Sequence, residues 1–282
     1  MTNEIYKLFR QTLPDILRNE DAVKKILSNE NNHIITVKEE NRLIGVSVIR
    51  ENVIYLLCVD DNAQNSGIGT QLLRQSEEYI SSKGFDKVIV GAGKEYIMPG
   101  VPMNRGAHNF FIKHGYTHSW GDEGCYDMAQ YLANYECDIS IGDTINGITY
   151  RWAAEADRDN VIKCVNDSYN QFTDYYQDPA FYQSNGKTSV LMAEQNNEIV
   201  GVLQVAKNVE ADGVGSVGCT VTSEKHQGKG IATTLVKLGT KHLKESGLEK
   251  GFLGYTYTAI VHMYGRSGYE ISMEYFMGQK IL

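Results

Sequence analysis

The chain has 282 residues, of which 42% are hydrophobic and 22% charged, with only 4 prolines; this is the composition of an ordinary folded protein, not of a disordered or collagen-like one. A formal charge of −8 without any basic block argues against a nucleic-acid partner, and no apolar run approaches the roughly 20 residues that span a bilayer, so no membrane is expected. Five cysteines, odd in number and without a CxxC pair, argue against a disulfide framework and against a zinc site; no metal is expected.

The length exceeds a usual single domain, and two halves of roughly 140 residues can each bury a core. Residues 1–10 lack the basic and apolar regions of a secretory leader, which makes the cytoplasm the expected location. In chain order, residues 34–37 and 43–49 read as strands around the turn Glu39-Glu40-Asn41, and the apolar run 53–59 reads as a third strand. The turn Gln64-Asn65-Ser66-Gly67-Ile68-Gly69 then opens an amphipathic helix that carries Leu72, Leu73 and Ile80 and stops near Gly84. A strand at 87–92, a two-proline loop at 96–102, a short helix ending in Gly115-Tyr116 and a strand at 125–132 complete the half.

Between Ala133 and Ile148 the residues Asn134, Asp138, Gly142, Asp143, Asn146 and Gly147 interrupt the periodicity, so the expected domains are 1–137 and 146–282. The second half repeats the order of the first. A strand at 148–152 leads to a mostly helical stretch at 153–169, a hairpin of 189–194 with 199–206, and a long strand at 214–221. The turn Gln227-Gly228-Lys229-Gly230-Ile231-Ala232 opens a helix bearing Leu235, Val236, Leu238 and Leu243, followed by a strand at 250–257 and a helix ending in Gly268-Tyr269. Gln64 and Gln227 stand 163 residues apart, as do Gly67 and Gly230, and the order of elements predicts a mainly antiparallel mixed sheet with helices on both faces.

A strand that turns sharply into a helix leaves backbone N–H groups unpaired at the positive end of the helix dipole, and glycines let phosphate oxygens approach them. Both turns therefore read as anion cradles: Gln64, Asn65, Ser66, Gly67, Ile68, Gly69 and Thr70 in one, and Gln227, Gly228, Lys229, Gly230, Ile231, Ala232 and Thr233 in the other. Gly-Lys-Gly-Ile lacks the Gly-Lys-Ser/Thr ending of a nucleotide P-loop, which favours a diphosphate over a triphosphate. Cys58 and Cys219, in the strands before the turns, read as small buried thiols.

On these residues the chain resembles the GNAT acetyltransferase superfamily, whose signature is Gln/Arg-x-x-Gly-x-Gly/Ala between a strand and a helix, followed later by Tyr-x-x-x-Gly-Phe/Tyr. Both halves match, so the resemblance covers almost the whole chain and implies an α/β fold of two tandem GNAT-like domains. It implies acetyl-coenzyme A as cofactor, with the pyrophosphate on the turn amides and the pantetheine paired to the preceding strand, near Val59 in one half and Val221 or Thr222 in the other. Val221 stands one residue farther from Gln227 than Val59 does from Gln64, a difference that a β-bulge would absorb.

The halves differ where chemistry would occur. Tyr264, four places before Gly268, is the family's tyrosine, whereas Phe111 stands at the equivalent place before Gly115. A phenol can give a proton to a departing thiolate and a phenyl ring cannot. The C-terminal half is therefore expected to catalyse, with Tyr264 as its acid, and the N-terminal half to be structural, regulatory or at most cofactor-binding. The expected reaction is direct N-acetyl transfer to a small-molecule or peptide amine; the alternative is a non-catalytic acyl-coenzyme A binding or sensing protein.

For the base, the candidates are Glu194, Glu210, Asp212, Glu224, His226 and His262. Tyr169, Phe172, Tyr175 and Tyr176 form an aromatic stretch that could wall the acceptor, with Asp174 or Asp178 to steer an ammonium. The chain is expected as a monomer whose halves form a pseudo-dimer, or as a homodimer.

Overall fold

The structure is a computed structural model that describes residues 1–91, 95–121, 123–183 and 186–282. In chain order it has α1 (Thr2–Thr12), α2 (Glu20–Leu27), β1 (His33–Glu39), β2 (Arg42–Arg50), β3 (Val53–Val59), α3 (Ile68–Ser82), β4 (Lys87–Val90), β5 (Val101–Pro102), α4 (Ala107–Lys113) and β6 (Thr117–His118). There follow β7 (Cys125–Tyr131), β8 (Thr144–Ile145), β9 (Ile148–Trp152), α5 (Arg158–Tyr169), β10 (Thr188–Gln195), β11 (Glu198–Lys207), β12 (Val214–Thr222), α6 (Ile231–Glu245), β13 (Lys250–Tyr257), α7 (Thr258–Gly265), β14 (Glu270–Phe276) and β15 (Gly278–Ile281). The strand expected at 87–92 ends at Val90, and its last expected residue, Ala92, lies outside the described residues.

These elements form two compact units, and the cut differs from the expected 1–137 and 146–282. One unit is Met1–Tyr126 with Met273–Leu282, and the other is Asp127–Ser272. In the first, a sheet runs β1-β2-β3-β4-β15-β6, antiparallel throughout except for the parallel pair β3/β4. Its fifth strand, β15, is the end of the chain: Gln279, Lys280 and Ile281 pair with Ile89, Val88 and Lys87. In the second, β7 lies beside β13 in the order β7-β13-β12-β11-β10-β9-β8, and β12 and β13 are parallel. Each unit thus completes its sheet with a strand from the far part of the sequence.

The stretch 133–147 is not a free linker. Tyr135 is buried, its hydroxyl donates to the Lys237 carbonyl (3.2 Å), and the Lys244 and Lys241 ammonium groups bond the carbonyls of Tyr135 (2.6 Å) and Ile139 (2.8 Å) along α6. The two helices before β1 were not anticipated, although Ile5, Leu8, Phe9 and Thr12 recur at helical spacing and are the residues α1 buries.

Helices cover both faces of the second sheet, as expected. Leu203, Val205 and Val217 pack under α6 with Leu235 and Val236, while Val202 and Val221 face α5 with Val161 and Val165. Each unit also spends a glycine on letting its cradle helix down onto the sheet. A Cβ at Gly45 would lie 2.9 Å from Ile68 Cγ2, and one at Gly201 would lie 2.7 Å from Ile231 Cγ2 and 3.3 Å from Leu235 Cδ1. Gly201→Ala is therefore expected to destabilise the protein by about 1–3 kcal/mol through overpacking, as a lowered urea midpoint will show.

The tyrosines of the two Gly-Tyr segments are structural. Tyr116 donates to Glu77 Oε1 on α3 (3.1 Å), and Tyr269 shares a hydrogen bond with Thr240 Oγ1 on α6 (3.1 Å). Both rings are buried, so each pins the chain after the short helix back onto the cradle helix.

Candidate functional site

The site begins where two parallel strands part. β12 and β13 pair at Val214↔Lys250, Gly215↔Gly251 and Ser216↔Phe252, and among the described residues they share no pair beyond. From Val217 to Thr222 the side of β12 facing β13 is an open strand edge, with backbone donors and acceptors available to an extended ligand. β3 and β4 pair in parallel at Val53↔Ile89 and Ile54↔Val90.

The extra residue expected before the second turn is absorbed in a bulge. Val202 pairs with Val221 but Gln204 pairs with Gly218, so Cys219 and Thr220 together oppose Leu203, and Cys219 has φ +49. Beyond the bulge, Gly201 pairs with Thr222 as Gly45 pairs with Val59. Thr222, not Val221, is thus the register partner of Val59. Val221 turns its side chain into the α5-face core, while Thr222 Oγ1 is buried without a hydrogen-bond partner among the described residues.

At the end of this edge stands the second cradle. Gly228 and Gly230 have φ +75 and +81, and a Cβ built on either meets nothing within 4 Å. Gly230 caps α6; the amides of Ile231, Ala232 and Thr233 precede the first helical bond, Thr234 N–H to Gly230 C=O (3.0 Å). Ile231 buries its side chain, so only its amide serves the cradle, while Gln227, Gly228 and Lys229 are exposed. Open space over positive-φ glycines, unpaired helix amides and an orphaned buried hydroxyl fit the diphosphate and amide-bearing arm of coenzyme A.

Tyr264 brings its hydroxyl to the bulge. The ring is buried, 4% exposed, at an edge-to-face 6.3 Å from Tyr269, and its hydroxyl shares a 3.1 Å hydrogen bond with Thr220 Oγ1. Burial pushes its pKa up to about 12, opposed by the Thr220 hydrogen bond, with Cys219 and Tyr257 among the groups that face it. A phenol held neutral at the mouth of the parted strands can donate a proton to a group lying along β12. The neighbouring thiol is inert, since burial pushes Cys219 up to about 11; Cys58 of the first unit is pushed up to about 12.

The first cradle has the same backbone and a different lining. Asn65 and Gly67 have φ +59 and +92, and Gly67 caps α3. But the Gln64 side-chain amide donates to the Val59 carbonyl (3.2 Å), at the strand end where a pantetheine arm would pair, and to Asp61 Oδ1 (2.9 Å). The Ser66 hydroxyl is turned back onto the Ala63 carbonyl (2.5 Å). Over the first turn of α3, a Cβ at Gly69 would touch the Phe110 ring at 3.5 Å, and Thr70 Oγ1 bonds His114 Nε2 at 3.3 Å. Residues 153 places later, Met263 and Ser267, put no ring there. Phe111 is a core residue, packed edge to face with Tyr116 at 5.4 Å. Ile97 and Met98 of the two-proline loop are buried as well.

Charge separates the two cradles further, a signal in the sequence that motif reading passes over. Asp60 and Asp61 precede Gln64 with no cation in the turn, while Lys225 and Lys229 flank Gln227 against a single Glu224. The second turn is therefore net positive, which suits a diphosphate, while in the first Arg42 pairs with the buried Asp60 (3.2 Å) and no lysine stands near Gln64 in sequence.

The aromatic stretch divides. Tyr169, Phe172 and Tyr175 form an edge-to-face row, with centroids 4.7 and 5.9 Å apart, and Tyr175 is 56% exposed. Tyr176 is fully buried and its hydroxyl donates to the Cys219 carbonyl (2.6 Å). Of the candidate bases, Glu194 is taken by Arg151 (2.8 Å), which also holds Asp157. Glu210 and Asp212 lie before Val214, about 20 Å along β12 from Thr220 at strand rise. His226 Nδ1 bonds Ser223 Oγ (3.2 Å) beside the cradle, and His262 is exposed on α7.

Among the described residues no helix is long and apolar enough to cross a membrane. No curated protein matches the chain. Of solved structures, it is similar to a GCN5-related glucosamine N-acetyltransferase region of a fungal multi-domain GH3 beta-N-acetylglucosaminidase, with TM-score 0.77 and 17% identity over 99% of this chain, which spans 37% of that chain. It is similar also to a GCN5-related N-acetyltransferase from Sphaerobacter thermophilus (TM-score 0.71, 16% identity, 99% of this chain and 91% of that one). A tandem GNAT protein from the clavulanic acid biosynthesis pathway aligns with TM-score 0.66 and 13% identity over 99% of this chain and 94% of that one. At such identities the likeness is one of fold. Residues 3–99 match the acetyltransferase (GNAT) domain model and residues 151–269 the acetyltransferase (GNAT) family model. With a GNAT match in each half and a tandem GNAT protein among its structural neighbours, the chain belongs to the GNAT acetyltransferase superfamily as a two-domain, tandem member.

Proposed function

We infer that the protein is an N-acetyltransferase in which the second unit, Asp127–Ser272, binds acetyl-coenzyme A and transfers its acetyl group to the amine of a small molecule or peptide. The observation that carries this reading is the buried Tyr264 hydroxyl, held by Thr220 at the point where β12 and β13 part. When bound, the coenzyme would supply an activated thioester whose leaving group is a thiolate. Gly228, Lys229 and Gly230, with the amides of Ile231, Ala232 and Thr233, would hold its diphosphate; the open edge of β12 to Thr222 would pair its arm. Tyr264 holds a proton at its hydroxyl for the leaving sulfur, and the Tyr169, Phe172 and Tyr175 row borders the acceptor, with the Asp174 or Asp178 carboxylate to draw an ammonium. The first unit keeps the fold and lines its cradle with its own Gln64, Phe110 and His114 side chains.

The test is calorimetry with acetyl-coenzyme A, followed by thiol release across a panel of amines. One equivalent per chain is expected. Gly230→Val, which forces a β-branched residue into φ +81 and puts its side chain over the amides, is expected to weaken binding by about tenfold or more; Gly67→Val is expected to leave it unchanged. Binding without thiol release on any amine would favour a sensing protein. Binding lost through Gly67→Val and kept in Gly230→Val would place the site in the other unit.

A further inference from the structure

We propose that Tyr176 is a positioning residue for the transfer step: by holding the carbonyl of Cys219, its hydroxyl fixes the β12 bulge in the conformation that turns Thr220 Oγ1 toward Tyr264. The inference rests on the acetyltransferase reading and adds to it a residue that contacts neither coenzyme nor acceptor in that reading.

Three observations meet at this point. Cys219 has φ +49, a backbone state that an L-residue with a side chain adopts only when its surroundings impose it. The imposing contact is the buried Tyr176 hydroxyl, 2.6 Å from the Cys219 carbonyl, on the one residue the bulge adds to the strand. And Tyr176 is itself held: its own carbonyl accepts from the Tyr182 hydroxyl (2.9 Å), the preceding Tyr175 carbonyl accepts from the Gln204 side-chain amide, and the following Gln177 carbonyl accepts from the Arg158 guanidinium. A chain of fixed groups thus runs from the α5 end of the fold through Tyr176 and the bulge to the Thr220–Tyr264 pair.

The first unit lacks the two ends of this chain together. In the register set by Val59 and Thr222, Thr220 corresponds to Leu57, and Tyr264 corresponds to Phe111; the bulge of β3 falls elsewhere, at Tyr55. A hydroxyl on the strand, a hydroxyl on the short helix and a bulge aligned between them occur only in the unit with the open cradle. The same clamp sets the segment that carries Phe172 and Tyr175, so Tyr176 ties the acceptor wall to the proton donor through one carbonyl.

The test uses the full chain with Tyr176→Phe, which removes only the hydroxyl, beside Thr220→Val and Thr220→Ser. Hydrogen exchange of the amides of residues 219–222 is measured in the free protein, and kcat and KM for acetyl-coenzyme A are measured on an amine that the wild type accepts. Tyr176→Phe is expected to speed exchange at the bulge about tenfold, from the loss of one buried hydrogen bond, and to lower kcat about tenfold with KM within about twofold. Thr220→Val should lower kcat at least as far, Thr220→Ser should restore most of it, and adding Tyr176→Phe to Thr220→Val should cost nothing further in kcat. Unchanged exchange in Tyr176→Phe overturns the proposal whether or not transfer is seen, and so do fully additive losses in the double variant. A wild type that releases no thiol overturns the acetyltransferase reading and the positioning role with it, while exchange still reports separately whether Tyr176 holds the bulge.

Discussion

Tyr264→Phe is expected to lower kcat by about a hundredfold while leaving the affinity for acetyl-coenzyme A within about twofold. The loss falls on chemistry because the hydroxyl sits on the bulge, bonded to Thr220 Oγ1 at 3.1 Å, and is none of the turn groups assigned to the diphosphate. The fold should tolerate the change: the ring stays against Tyr269, and Thr220, only half-buried, keeps access to other partners. The pH profile carries a sharper version of the same expectation. Burial pushes the Tyr264 pKa up to about 12, above the ordinary phenol value of about 10, so the proton donor stays loaded through the neutral and mildly alkaline range. Turnover should therefore show no alkaline loss from this group below about pH 10, with a decline only as pH approaches the raised value. A variant as fast as the wild type would remove the assigned role, whereas an alkaline limb at about pH 8 to 9 that disappears in Tyr264→Phe would keep the phenol as the donor and overturn its raised pKa.

A fragment of residues 146–282, the domain boundary suggested by sequence, is expected not to fold cooperatively, whereas 127–272 is expected to do so. The first fragment discards β7 and the strap over α6. It loses the buried Met128 and Leu132 from the core that holds Val236 and Leu243, the Leu132 amide's bond to the Glu249 carbonyl (2.9 Å), and Asp127 Oδ1, which accepts from the Tyr255 amide (3.1 Å) where that residue is at φ +60. Deleting two buried side chains of this size costs about 2–5 kcal/mol each, which is comparable to the whole stability of a domain. The fragment also keeps residues 273–282, whose partners, Lys87, Val88 and Ile89 for β15, belong to the other unit. Circular dichroism during heating decides the matter. A cooperative transition in 146–282 equal to that of 127–272 would show that the sequence boundary is the physical one.

Local signals made the backbone of the candidate site readable in advance. The glycines of the two turns declared themselves because a strand-to-helix junction with positive φ tolerates little else, and Gly67, Gly228 and Gly230 adopt that conformation. The extra residue before Gln227 pointed to a bulge, and the bulge is there, although only strand pairing could show that it lies at Cys219–Thr220 and that Thr222 is the residue in register with Val59. Tyr176 was grouped with the acceptor aromatics on spacing alone. Its burial and its bond to the Cys219 carbonyl come from a segment 43 residues away in the chain, and neither leaves a local trace.

By itself the sequence determined the two-fold repeat, the strand-turn-helix junctions, the cradles and the Tyr264/Phe111 asymmetry, because periodicity, backbone freedom and side-chain chemistry act over a few neighbouring residues. Only the tertiary structure decided which sheet each late strand completes, that the first cradle is lined by Gln64, Phe110 and His114, and that Thr220 and Tyr264 meet. Strand pairing and cleft lining depend on which distant edges and faces are left unsatisfied once the local elements have formed, and that is a property of the assembled fold.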